Sequence, residues 1–117
     1  MRILIVDDSV TSRLLFKANL PHGLEVELDE ADACEGALLK IADNEPDLIF
    51  LDYNLPGKNG VEIARAIRAA GCQGKFVLLT ANLQNSIVDE AKEVGFVAVL
   101  EKPITRENVE YILSEIG

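Results

Sequence analysis

Short apolar runs alternate with longer segments of mixed polarity along the chain. Three runs are continuous, as is typical of central parallel strands that are covered on both faces: residues 3–6, 48–51 and 76–79. Residues 24–28 alternate between apolar and acidic side chains, which indicates an edge strand, and residues 97–100 form a fifth run. The segments between and after these strands have the apolar spacing of helices: residues 9–19, 33–43, 58–70, 84–94 and 105–116.

The strict alternation of strands and helices predicts one α/β domain over residues 1–117. Right-handed crossovers then place helices on both faces of a doubly wound (βα)5 sheet with five parallel strands. Ser9 and Thr105 stand where side chains cap the amino ends of the first and fifth helices. In such a sheet, the ligand site is expected at the carboxyl ends of the central strands.

Composition and charge exclude several classes of function. The chain is 49% hydrophobic and 26% charged, which suits a folded protein without a membrane span. Its net charge of −9 argues against a nucleic-acid surface, because such a surface requires clustered Lys and Arg. No signal peptide begins the sequence, and Cys34 and Cys72 have neither metal-binding nor redox spacing. We therefore expect a cytoplasmic protein with a protein or small-ion partner.

Polar side chains follow the predicted strands where they end. Asp7 and Asp8 follow the first strand, Asp52 the third, Thr80 the fourth and Lys102 the fifth. Carboxylates at the end of a buried strand lose hydration and repel one another, so a metal ion, a cationic side chain or water must compensate them. Three clustered carboxylates suit Mg²⁺, which prefers oxygen ligands. A neighbouring hydroxyl and ammonium group would suit the oxygens of a phosphoryl group.

Four segments give this site a more specific interpretation: LIVDDS (4–9), LDYNLPGKNG (51–60), LLTAN (78–82) and LEKPI (100–104). With these segments in this order and spacing, the chain resembles the receiver domain of two-component response regulators over essentially its whole length. We accordingly predict a flavodoxin-like sheet with the strand order 2-1-3-4-5.

The resemblance also implies a role for each site residue. Asp52 would accept a phosphoryl group, while Thr80 and Lys102 would contact the phosphoryl oxygens. Asp8 and Asp52 would coordinate Mg²⁺ through their carboxylates, and the backbone carbonyl of Asn54 would be a further ligand. Asp7 would assist through a water molecule.

The function predicted from these roles is that of a stand-alone signalling switch. A sensor histidine kinase or a histidine phosphotransfer protein would phosphorylate it, and it would signal to an unknown protein target as a monomer or as a weak, phosphorylation-dependent dimer. It would catalyse only its own phosphorylation and dephosphorylation, and chemotaxis and a phosphorelay both remain open as its pathway. An alternative is a small phosphatase with Asp52 as the nucleophile, but that class requires an acid two residues later, where this chain has Asn54. A binding module that is never phosphorylated is a third interpretation.

Two further expectations concern how the switch meets other proteins. The first helix has two apolar stripes, one for packing on the sheet (Leu15, Phe16, Leu20) and one for docking a phosphotransfer partner (Val10, Leu14, Ala18). The resemblance also implies an aromatic residue three positions before Lys102, where this chain has Val99. Because valine has no long side chain to rotate, we expect residues 80–86 and the fourth helix to carry the signal.

Overall fold

A computed structural model describes residues 1–116 as a five-stranded parallel sheet with helices on both faces. The strands are β1 (Arg2–Val6), β2 (Glu27–Ala31), β3 (Leu48–Asp52), β4 (Lys75–Thr80) and β5 (Ala98–Glu101). The helices are α1 (Val10–Ala18), α2 (Cys34–Asp43), α3 (Gly60–Ala69), α4 (Asn85–Val94) and α5 (Arg106–Glu115). The strand order β2-β1-β3-β4-β5 confirms the predicted doubly wound, flavodoxin-like sheet.

Two apolar layers cover the two faces of the sheet, because successive side chains of a strand point to opposite faces. The layer beneath α2, α3 and α4 takes these side chains from the three central strands: Leu4, Val6, Ile49, Leu51, Phe76 and Leu78. The layer beneath α1 and α5 takes their neighbours: Ile3, Ile5, Leu48, Phe50, Val77 and Leu79. The central strands are thus apolar on both faces, and polar chemistry is confined to their ends.

The position of β2 differs from the prediction by three residues. The strand covers Glu27–Ala31 instead of 24–28, and it pairs with β1 from Arg2↔Glu27 to Val6↔Ala31. One of its acidic side chains, Glu30, is compensated by cations of α1. The carboxylate of Glu30 lies 3.0 Å from Arg13 Nε and 2.6 Å from Lys17 Nζ. The register therefore follows from pairing and charge across the fold, which the local alternation does not reveal.

The packing face of α1 is narrower than predicted. Phe16 is buried, and its ring lies 4.7 Å from that of Phe50 between the ring centroids. Leu20 is partly buried, but the prediction for Leu15 is wrong because 54% of its surface is exposed. Phe16 takes the position against the sheet, and Leu15 lies beside it at an open groove that Ile104 also lines.

The predicted helix caps are confirmed. Ser9 Oγ accepts a hydrogen bond from Ser12 N at 3.2 Å, and Thr105 Oγ1 accepts one from Asn108 N at 3.1 Å. Such caps satisfy amide groups that have no partner within the helix. Among the described residues, no helix has both the length and the apolar character that crossing a membrane requires.

Candidate functional site

The predicted site residues lie at one edge of the sheet. Asp7 directly follows β1, Asp52 and Thr80 are the last residues of β3 and β4, and Lys102 directly follows β5. The backbone joins two of these ends, because Lys102 N donates to the Thr80 carbonyl at 2.7 Å. The carboxyl ends of parallel strands therefore bring together groups that are up to 95 residues apart in the sequence.

Three carboxylates form a tight cluster at this edge. Each of Asp7, Asp8 and Asp52 offers an oxygen atom, and these oxygens lie within 4.8 Å of one another. Asp7 and Asp52 are buried, with 1% and 6% of their surface exposed, whereas Asp8 is exposed. Oxygen ligands at this spacing fit a hard cation such as Mg²⁺, and the exposed Asp8 leaves one side open to water.

Lys102 supplies part of the charge that compensates this cluster. Its Nζ lies 2.8 Å from Asp7 Oδ2 and 3.2 Å from Asp52 Oδ2. Burial alone would lower the pKa of Lys102, but the hydrogen bond to Asp7 and the charge of Asp52 raise it above its ordinary value. The ammonium group therefore stays charged. Since it is one cation against three carboxylates, the cluster retains an excess of negative charge.

The environment of Asp52 disfavours its ionised form. Burial raises its pKa, and the negative charge of Asp7 adds to this effect. Lys102 and the Asn54 amide act in the opposite direction, and the latter donates to Asp52 Oδ1 at 3.4 Å. A second cation at the site would favour the carboxylate form of Asp52.

The loop after Asp52 is held close to the end of β3. Gly60 N donates to the Tyr53 carbonyl at 2.9 Å, which closes the loop over residues 53–60. A Cβ atom at Gly60 would lie 2.5 Å from the backbone oxygen of Asp52, so this position requires glycine. The loop therefore holds Asn54, the predicted carbonyl ligand, directly beside the acid cluster.

Among residues 1–116, the Thr80 side chain makes hydrogen bonds only within its own loop. Its Oγ1 donates to the Asn82 carbonyl and accepts from the Asn82 amide, both at 3.2 Å. The residue is buried, but the loop that follows it, residues 81–84, is exposed. The hydroxyl is thus positioned at the site edge by neutral contacts within its own loop.

Arg13 is a site residue that the sequence analysis missed. Its Nη1 donates to the backbone carbonyl of Asp7 at 2.6 Å, and its Nε donates to Glu30 Oε1 at 3.0 Å. The sequence contains a signal for the contact with Glu30, because Arg13 and Lys17 are one helical turn apart and an acidic strand follows them. The contact with a backbone carbonyl has no such signal.

Comparisons with known proteins agree with this geometry. The family model of the response regulator receiver domain matches residues 3–114. The chain is 32% identical over 120 residues to a probable chemotaxis protein CheY of Rhizobium etli, and the match covers 99% of this chain and 92% of that protein. It is 34% identical over 120 residues to the sensory transduction protein LytT of Bacillus subtilis, with 98% of this chain covered. The match covers only 47% of LytT, so the chain spans about half the length of that relative.

Two solved structures have closely similar folds. The chemotaxis protein CheY4 of Vibrio cholerae has a TM-score of 0.89 at 27% identity, with 99% of this chain and 98% of that chain covered. A response regulator receiver domain from Methylobacillus flagellatus has a TM-score of 0.85 at 30% identity, with 100% and 98% covered.

Proposed function

The chain belongs to the response regulator receiver domain family, and we propose that it is a phosphorylation-dependent switch with Asp52 as the phosphoacceptor. The observation that carries this proposal is the placement of Asp52. Its carboxylate is nearly buried beside Lys102 and the other two acids of the cluster, and the hydroxyl-bearing residue Thr80 ends the neighbouring strand. These are the groups that a phosphoryl transfer to an aspartate requires, because catalysis of such a transfer consists mainly of positioning and charge neutralisation.

The donor that we propose is a phosphohistidine on a sensor histidine kinase or a phosphotransfer protein. An oxygen of the Asp52 carboxylate forms a bond to phosphorus while the phosphorus–nitrogen bond breaks, and the imidazole nitrogen of the donor keeps the electron pair. Negative charge is spread over the equatorial phosphoryl oxygens in the transition state. The Lys102 ammonium group neutralises one of these oxygens, and the Thr80 hydroxyl donates a hydrogen bond to another once it leaves Asn82.

Magnesium fits the acid cluster for two reasons. Three carboxylate oxygens lie within 4.8 Å of one another, and the single positive charge of Lys102 does not balance three carboxylates. We propose that Asp8 and Asp52 hold the ion with their carboxylates and Asn54 with its backbone carbonyl, and that Asp7 acts through a water molecule. When bound, the ion supplies positive charge beside the phosphoryl oxygens. Asp7 also holds Lys102 in place through the 2.8 Å contact.

That the domain acts as a stand-alone protein, and that it does so in the cytoplasm, are predictions. The chain covers 92% of the CheY protein of Rhizobium etli but 47% of LytT, so relatives of both sizes match it. We propose that the domain signals through contacts with a downstream protein in the cytoplasm. The phosphatase alternative lacks the second acid, because Asn54 occupies that position.

The proposal is tested by phosphorylation with a small-molecule donor. With acetyl phosphate or phosphoramidate and Mg²⁺, we expect the parent protein to gain the mass of one phosphoryl group and Asp52→Asn to gain none. Asp89→Asn, an exposed carboxylate on α4, is the matched control and should be labelled like the parent. Undiminished labelling of Asp52→Asn, measured by intact mass, would overturn the assignment. Turnover of phosphomonoesters by the parent would support the phosphatase alternative instead.

A further inference from the structure

The contact between Arg13 and the end of β1 lies outside the roles described so far. We propose that Arg13 is a positioning residue, which orients the carboxylate of Asp8 for metal binding by holding the Asp7 carbonyl. This inference rests on the proposed function, because it assumes that Asp8 is a ligand of Mg²⁺.

Arg13 replaces a hydrogen bond that the sheet does not provide. The last bond in the ladder between β1 and β2 runs from Asp7 N to the Ala31 carbonyl at 3.0 Å. In a parallel ladder, the next bond would bring the amide of Ala33 to the Asp7 carbonyl. However, β2 ends at Ala31, and at Ala33 the chain has already turned into the amino end of α2. The guanidinium of Arg13 takes the place of that amide at 2.6 Å.

The guanidinium is held from both sides. Nε donates to Glu30 at 3.0 Å while Nη1 donates to Asp7, so one planar group joins α1, β2 and the end of β1. Only 18% of the Arg13 side chain is exposed, so water competes little for these contacts. A lysine has a single point of charge and does not hold both partners in this fork.

The Asp7 carbonyl matters to Asp8 because both belong to the same planar peptide unit. Fixing that carbonyl fixes the direction in which the chain enters Asp8. The carboxylate of Asp7 has its own restraints, from Lys102 Nζ at 2.8 Å and Ser9 N at 2.9 Å. Within residues 1–116, no hydrogen bond or ion pair restrains the carboxylate of Asp8. Its orientation therefore depends on the backbone that Arg13 holds.

The direction in which Mg²⁺ affinity changes when Arg13 is removed distinguishes a positioning role from a purely electrostatic one. As a nearby cation, Arg13 repels Mg²⁺, so its removal would strengthen binding if long-range electrostatics were its only influence. As a positioning group, it holds a ligand in place, and the loss of such outer contacts typically weakens metal binding. Weaker binding after removal of a positive charge therefore identifies the positioning role.

The test is a calorimetric titration of Mg²⁺ into the full chain, without any phosphodonor. We expect Arg13→Met to weaken Mg²⁺ binding about tenfold, as for other outer contacts of metal ligands. Arg13→Lys keeps the charge but loses the fork, and it should weaken binding as well. Lys17→Met is the matched control, because Lys17 also contacts Glu30 but makes no bond to the Asp7 carbonyl. It should bind Mg²⁺ as tightly as the parent or slightly more tightly.

Further measurements separate affinity from folding and from chemistry. The thermal midpoints without Mg²⁺ show whether each variant is folded. If Arg13→Met is unfolded, the Mg²⁺ titration is carried out with Arg13→Lys instead. At saturating Mg²⁺, the rate of Arg13→Lys labelling by acetyl phosphate should approach that of the parent. Unchanged or tighter Mg²⁺ binding by folded Arg13 variants would overturn the inference and leave Asp52 as the phosphoacceptor. Weakening by Lys17→Met to the same degree would also overturn it. If the parent itself bound no Mg²⁺, the metal site of the proposed function would fail, and this inference with it.

Discussion

The two halves of the candidate site are built differently. The acid half comprises Asp7, Asp8, Asp52 and Lys102. Contacts between charges, at 2.8 and 3.2 Å, hold Lys102 to Asp7 and to Asp52. The hydroxyl half, which comprises Thr80 and the loop that leads into α4, is held by neutral hydrogen bonds at 3.2 Å. The acid half is largely buried, whereas residues 81–86 are exposed.

This difference indicates which half can change at low cost. Moving Lys102 would leave buried carboxylates without compensation, which is expensive in free energy. Moving the Thr80 hydroxyl exchanges neutral hydrogen bonds at a solvent-exposed loop, and each of these contributes only about 1 kcal/mol. The amino end of α4 adds little resistance, because Gln84 caps it without a side-chain hydrogen bond. We infer that the acid half binds and that the hydroxyl half responds.

The largest expected effect is that of removing Lys102. Lys102→Met leaves Asp7 and Asp52 buried without their cation, so we expect a loss of about 3 kcal/mol in the free energy of unfolding without Mg²⁺. Urea unfolding at neutral pH measures it. Lys92→Met, an exposed lysine on α4, is the control and should change stability little. Equal effects of the two substitutions would show that the acid half is not held by charge.

Magnesium should stabilise the acid half by mass action. At ten times its dissociation constant, it should add about 1.4 kcal/mol to the free energy of unfolding of the parent. Asp8→Ala removes a proposed ligand and should abolish this gain, whereas Thr80→Val, in the hydroxyl half, should retain it. Thermal midpoints with and without Mg²⁺ provide the measurement. Coinciding midpoints for the parent would argue against a metal site.

The charge of Asp52 itself is expected to have a smaller effect on the stability of the fold. Burial and the charge of Asp7 raise its pKa above the ordinary value of 3.8. A group whose pKa is raised by folding favours the folded state below its unfolded pKa, and this advantage is lost as the pH rises through the folded pKa. Asp52→Asn should therefore raise the thermal midpoint at neutral pH without Mg²⁺.

The pH dependence provides the check on this prediction. The difference between Asp52→Asn and the parent should vanish below about pH 3.8, where the parent carboxyl group is protonated in both states. Asp89→Asn, measured over the same range, corrects for general effects of losing an exposed carboxylate. A parent that is more stable than Asp52→Asn at neutral pH without Mg²⁺ would reverse the sign and contradict the prediction.

The smallest effect in energy concerns the response of the hydroxyl half. When Thr80 turns to a phosphoryl oxygen, the Asn82 backbone loses its partner, so the loop must rearrange. With the phosphate mimic beryllofluoride, we expect the largest changes in amide chemical shift at residues 80–86 and in α4, and Thr80→Ala should reduce them. Val99 is partly buried against the core and has no ring to move. Large changes centred on 97–100, with little change at 80–86, would reject this division of the site.

The candidate site shows which contacts can be predicted from local sequence patterns. The sequence predicts that four side chains meet, because each stands at the end of a strand and all such ends share one edge of a parallel sheet: Asp7, Asp52, Thr80 and Lys102. The structure brings them together as expected. Leu15 was placed wrongly, since the apolar stripe of a helix does not tell which of two neighbouring residues the sheet can accommodate.

The sequence by itself determined the order of elements and the residues at the strand ends. Buried strands and helices leave periodic apolar patterns, which depend only on near neighbours in the chain. Only the tertiary structure decided the position of β2 and the contact of Arg13 with the Asp7 carbonyl. These depend on pairing between distant segments and on a backbone group that every residue carries, so no side-chain pattern records them.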